Sequence, residues 1–159
     1  MSLSREIANA VDHRPAPTTF PCAIEVDDAG HRLALELTAA GPVGLAFERL
    51  DYTAADRAER SQDALRAWAD RVAARVTYLM EPLKVLEHDR EAGAVSVRSQ
   101  SPSRRNARRT YYEAILRKDG TLTLSRIAYD ETTGLRENVP CQMTVEVLER
   151  LADDFVASA

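Results

Sequence analysis

With 159 residues, 45% of them hydrophobic and 29% charged, the chain is sized for one folded unit and is too apolar and too mixed in sign for disorder. Its net charge of −4 removes any global attraction to nucleic acid or an anionic membrane surface. No stretch approaches the ~18 apolar residues of a membrane span, and Arg5, Glu6, Asp12 and His13 interrupt the apolar core a signal peptide needs, so a cytoplasmic location is expected.

Leu3, Ile7 and Val11 recur at i, i+4, i+8, which predicts a short helix over residues 3–12. Pro15, Pro17 and Pro21 make residues 13–21 an extended linker. Cys22, Ile24 and Val26 alternate with Ala23 and Glu25, and Leu33, Leu35 and Leu37 alternate with Ala34 and Glu36. These are two half-buried strands joined at Asp27-Asp28-Ala29-Gly30. After a turn at Gly41-Pro42-Val43-Gly44, a strand over 45–52 loses its alternation near Arg49 and Leu50, which predicts a bulge.

Leu65, Trp68, Ala69, Val72, Val76, Leu79 and Met80 then recur at helical spacing as one apolar stripe. Thr53 with Asp56 resembles a capping box and Pro82 is a stop, so one long helix is expected between them, with Trp68 as the largest core side chain. Asp56 with Arg60 and Arg66 with Asp70 are opposite charges at i, i+4 on its outer side.

Residues 83–88 and 94–99 read as a hairpin around Glu91-Ala92-Gly93, followed by a basic polar loop over 100–109. The strongest hairpin signal is Asp119-Gly120 between the alternating runs of Thr110 to Tyr129. A two-residue loop pairs Lys118 with Thr121, which puts Glu113 opposite Arg126 and Ile115 opposite Leu124. A turn at Thr132-Thr133-Gly134, a short strand ending at Pro140 and a helix capped by Thr144 complete the chain; Val147, Leu148, Leu151, Phe155 and Val156 form that helix's apolar stripe. The expected fold is a single α+β domain over 1–159. Its antiparallel sheet of about six to eight strands is packed by one long central helix and a C-terminal helix.

Candidate chemistry is sparse. Arg104, Arg105, Arg108 and Arg109 stand beside Tyr111 and Tyr112, and residues 101–118 carry six basic groups against one acid. Residues 119–159 carry three basic groups against eight acids, so the chain is bipolar. Four guanidiniums next to aromatic rings suit phosphates with a stacked base, or an acidic peptide. The plainer reading is a solvated loop, or one that meets the acidic C-terminal part in a homodimer. Arg outnumbers Lys by 19 to 2, which makes a local Arg run less surprising.

His13, His31 and His88 share neither a helix face nor a metal spacing and read as exposed turn residues. Cys22 and Cys141 lack CxxC spacing; each follows a proline, and their thiols approach only if the first and last strands are neighbours. Cys141, just before the final helix, is the better candidate nucleophile of the two. Glu36 and Glu48 would make an acid–base pair only if their sheet face lined a cavity. No Gly-rich phosphate loop, GxSxG, HExxH or EF-hand pattern is present, and no cofactor, metal or catalytic set is expected.

The segment order is similar to that of small acidic secretion chaperones, which mix three helices with a twisted antiparallel sheet, although no residue motif carries the likeness. The leading expectation is therefore a non-enzymatic, chaperone-like module that binds a protein partner as a homodimer. The first alternative is an anion- or nucleic-acid-binding domain using the 104–109 run. The second is a small-ligand pocket between sheet and long helix, lined by Trp68 and Tyr129.

Overall fold

The computed structural model describes residues 2–100 and 102–159; Met1 and Ser101, the latter in the expected basic loop, lie outside them. The elements run α1 (Leu3–Asp12), β1 (Cys22–Asp28), β2 (His31–Ala40), β3 (Leu45–Thr53), α2 (Gln62–Arg75), β4 (Leu83–Asp89), β5 (Ala94–Ser99) and β6 (Ser103–Arg105). Then follow β7 (Arg108–Arg117), β8 (Thr121–Asp130), β9 (Arg136–Val139), β10 (Cys141–Met143) and α3 (Val145–Ser158). All strands join one antiparallel sheet in the order β1-β2-β3-β8-β7-β5-β4, with β10 beside β3, β6 beside β7 and β9 beside β8.

Alternation decides which side of each strand is wet. Ile24 and Val26, Leu33 to Leu37, Val95 and Val97, Tyr112 to Leu116 and Leu122 with Leu124 send every second side chain into one core. Leu3, Ile7 and Val11 of α1, Leu65, Trp68 and Val72 of α2, and Leu148, Leu151 and Phe155 of α3 enter the same core. The helices therefore roof one face, and the other face of the sheet is free of helices. Trp68 is the largest fully buried side chain, as its place in the apolar stripe predicts.

Ten strands form among the described residues, where six to eight are expected. The surplus is β6 and β10, of three residues each, too short to show alternation, while β9 is the expected short strand before Pro140. The long helix is also corrected: α2 has 14 residues, no more than α3. Thr53 is the last residue of β3, paired with Arg32 and Thr121, so it cannot cap a helix. Residues 54–60 are instead held to the β7–β8 turn, where the Ala54 and Arg60 N–H groups donate to the Gly120 and Lys118 carbonyls at 2.9 and 2.8 Å. Ser61 is the actual cap, its Oγ accepting from the Ala64 N–H at 3.1 Å. At the other end Val76 leaves the helix, and Leu79 is buried from irregular chain. Arg66 and Asp70 pair as expected at 3.2 Å, but Arg60 donates to the backbone carbonyl of Asp56.

The central hairpin exists, with its register shifted by one. Glu113 lies opposite Ser125, Arg126 opposite Tyr112, and Leu124 opposite Ala114. Of Asp119 and Gly120 only Gly120 takes positive φ, +89°, so the loop is the three-residue Lys118-Asp119-Gly120 and not a two-residue type I′ turn. The Asp119 carboxylate holds it, accepting from the Thr121 N–H and hydroxyl at 3.1 and 2.7 Å. A one-residue shift moves a side chain to the opposite face, so Glu113 and Arg126 part company. The expected bulge is present: between Leu35↔Leu50 and Leu37↔Phe47, β3 carries one residue more than β2, at Glu48–Arg49.

An arginine–tyrosine groove on the helix-free face

Because Tyr112, Ala114 and Leu116 point into the core, Tyr111 and Glu113 of β7 point the other way. Arg98 of β5 sits directly across from Glu113, and Arg136 of β9 reaches the same carboxylate. Arg98 Nε donates to Glu113 Oε2 at 2.5 Å, and Arg136 Nη2 donates to both oxygens at 3.1 and 3.2 Å. The Glu113 side chain is 7% exposed against 28% for Arg98 and 46% for Arg136. A carboxylate so covered would be costly alone; two charge-assisted hydrogen-bonded partners offset its desolvation. Both guanidiniums also lie over the ring of Tyr111, at 5.3 and 5.9 Å from its centre.

These groups floor a groove of about 380 Å³ whose walls add Lys84, Leu86, Arg109 and Tyr129. Arg109 packs over Tyr129 at 5.2 Å and shares Glu131 with Arg104. Lys84, Arg98, Arg109 and Arg136 thus face one buried acid and one shared acid, leaving a cationic surplus. Each guanidinium has five N–H donors, and the bonds to Glu113 use only part of them. The remainder, on side chains whose orientation Glu113 fixes, suits a carboxylate or phosphate approached edge-on.

The sequence candidates divide between the two faces. The expected basic loop is a hairpin, β6–β7, closed by Asn106 and Ala107, both at positive φ. Arg109 and Tyr111 belong to the groove. Arg104 pairs across from Arg109. Arg105 and Arg108 pair with each other in register, and Arg108 bonds Glu137 at 2.8 Å. Tyr112 enters the core at 2% exposure beneath the Arg126 guanidinium, and burial pushes its hydroxyl up to about 12. Tyr111 and Tyr112 therefore do not form one stacking platform. Nor do Trp68 and Tyr129 line one pocket, since Tyr129 faces the groove and Trp68 the core.

Lys84, Arg98 and Arg136 escape a sequence reading because β5 and β7 become neighbours only through the sheet order, and β9 is four residues long. Alternation with Val95 and Val97 does place Arg98 off the core face, which is the one usable signal.

At the other end of the same face, Glu25, Glu36, Glu48, Arg49 and Asp51 border a shallow hollow of about 430 Å³. Glu36 and Glu48 are exposed and have no partner among the described residues. The histidines are engaged locally: His31 Nδ1 lies 2.7 Å from the Tyr52 hydroxyl, His88 Nε2 2.7 Å from Gln62 Oε1, and His13 Nδ1 2.9 Å from the Asn9 carbonyl. Among the described residues no group of His, Cys, Asp and Glu could hold a metal ion, and no helix is long and apolar enough to cross a membrane.

The first and last strands are not neighbours. Cys22, Leu37, Phe47 and Cys141 stand in register across β1, β2, β3 and β10. Three strand spacings put the thiols about 14 Å apart, and both are free. Burial pushes the Cys141 thiol up to about 12, against which nearby Arg126 acts, so thiolate is scarce at neutral pH. A thiol reagent at pH 8 is expected to modify half-buried Cys22 and spare Cys141 until urea unfolds the chain, as peptide mass spectrometry would show. Modification of native Cys141 at the rate of Cys22 would contradict this burial.

Compared with known proteins, the chain matches no family model, no curated protein and no solved structure.

Proposed function

We propose that the chain is a non-enzymatic binding module that holds an acidic segment of a protein partner on its helix-free sheet face. The observation that carries the reading is the pair Arg98 and Arg136, both bonded to buried Glu113 and both covering Tyr111. A site built for acid–base or nucleophilic chemistry needs a reactive group free to act; here Glu113 is spent on two arginines, and the Ser99 hydroxyl accepts from the Tyr112 N–H at 2.9 Å. Oriented guanidiniums beside Leu86 and Tyr129 instead favour carboxylate side chains separated by apolar ones.

The nucleic-acid alternative has weaker support, because Tyr111 is 9% exposed under two guanidiniums and offers little open ring for a base. Fluorescence anisotropy with a labelled glutamate-rich peptide tests the proposal. Binding is expected to weaken between ~50 and ~200 mM salt. Arg136→Ala, which leaves Arg98 on Glu113, is expected to cost roughly tenfold or more in affinity. Arg105→Ala, off the groove, should change little. Equal losses in the two variants would remove the groove from the reading. Tighter binding of single-stranded DNA, lost with Arg104, Arg105 and Arg108 together, would favour the alternative.

A further inference from the structure

We infer that the helix-free face docks against the same face of a second copy of this chain, in a two-fold dimer whose axis runs parallel to β8. The inference rests on the proposed function above and names the acidic partner. Its basis is the order of charge across the sheet. Glu25 stands on β1, Glu36 on β2 and Glu48 with Asp51 on β3, outnumbering Arg32 and Arg49, which bond Glu25 and Asp51; Lys84 stands on β4, Arg98 on β5 and Arg109 on β7, outnumbering Glu113. In the order β1-β2-β3-β8-β7-β5-β4, β8 is the middle strand.

A two-fold axis parallel to β8 lays β1 over the partner's β4, β2 over its β5 and β3 over its β7. The acidic half of the face then meets the basic half, and the match occurs twice because the contact is isologous. The other in-plane axis, across the strands, lays acid on acid and base on base, which repulsion disfavours. Glu36, Glu48 and Lys84 have no partner among the described residues of their own chain, so a second copy would supply one. Between the charged ends the face carries Thr121, Thr123 and Ser125 of β8, short side chains that let two sheets approach to the usual ~10 Å.

Charge reversal with complementation tests the dimer by sedimentation velocity of the full chain. The wild type is expected to dimerise at ~50 mM salt and to dissociate as salt rises toward ~500 mM. Glu25→Lys with Glu48→Lys, and separately Lys84→Glu with Arg109→Glu, should each be monomeric. Neither variant touches the buried Glu113 cluster, and circular dichroism checks their folds. Mixed one to one they should recover a dimer, since both contacts become attractive again. A monomeric mixture of folded variants, or variants that dimerise like the wild type, would overturn the inference. The acidic peptide separates it from the reading beneath: Glu25→Lys with Glu48→Lys keeps the cationic groove and should still bind peptide. A wild type that binds peptide but stays monomeric sinks the dimer alone, and one that does neither sinks both.

Discussion

Trp68→Ala is expected to lower the stability of the chain by about 3–5 kcal/mol, a large fraction of the ~5–15 kcal/mol typical of a domain. Trp68 is fully buried, and it sits on α2 among Leu65, Ala69 and Val72, where helix and sheet meet. Neighbours on a 14-residue helix and on paired strands have little freedom to collapse into the space of an indole, so most of the cavity would persist. Urea unfolding with far-UV circular dichroism would show the midpoint shifted downward at similar slope. Trp68→Phe separates two contributions. The indole N–H is buried without a hydrogen-bond partner among the described residues, and the Arg60 guanidinium lies 4.6 Å over the ring. Phenylalanine keeps most of the volume and removes an unpaired donor, so its loss should fall well below that of alanine. A cost under about 1 kcal/mol for alanine would mean that α2 does not close the core as described.

Trp68 is legible in the chain from its helical spacing, and the contrast with other residues shows where legibility stops. Strand faces follow from alternation, because successive side chains must point to opposite sides. Ile24, Leu35 and Leu116 are in the core for this reason. Helical spacing identified α2 and its buried face but not its ends. Val76 and Leu79 continue the stripe and are buried, yet they leave the helix. Burial is what the pattern encodes, and an irregular segment pressed against a core satisfies it too. The register of β7 on β8 turned on whether Asp119 takes positive φ. Both turn types accept Asp-Gly, and a single residue moves Glu113 away from Arg126. The groove was largely illegible, since its residues come from β4, β5, β7, β8 and β9 and the pairing of β5 with β7 leaves no local trace. The arginine run points to Arg109 and Tyr111, which do line it, and to Tyr112, which the same alternation sends to the opposite face.

Removing both groove arginines is expected to cost more than the sum of removing each. Arg98→Ala leaves Glu113 with Arg136, and Arg136→Ala leaves it with Arg98; either loss should cost about 1 kcal/mol, because each arginine is partly exposed and can rehydrate in the unfolded chain. The double variant strands a 7% exposed carboxylate with no cation, and breaking a buried pair in this way costs about 3–5 kcal/mol. The excess over additivity is the coupling through Glu113, measurable as a double-mutant cycle in urea. Replacing all three residues by leucine removes the stranded charge with its partners and should recover much of the loss, since buried ionic clusters often exchange for apolar ones at little net cost. The triple variant would then be folded and unable to hold an acidic peptide, which separates the groove's part in recognition from its part in stability. Strict additivity of the two alanine variants would show that Glu113 does not need its arginines. Retained peptide binding in the leucine variant would show that recognition lies elsewhere on the molecule.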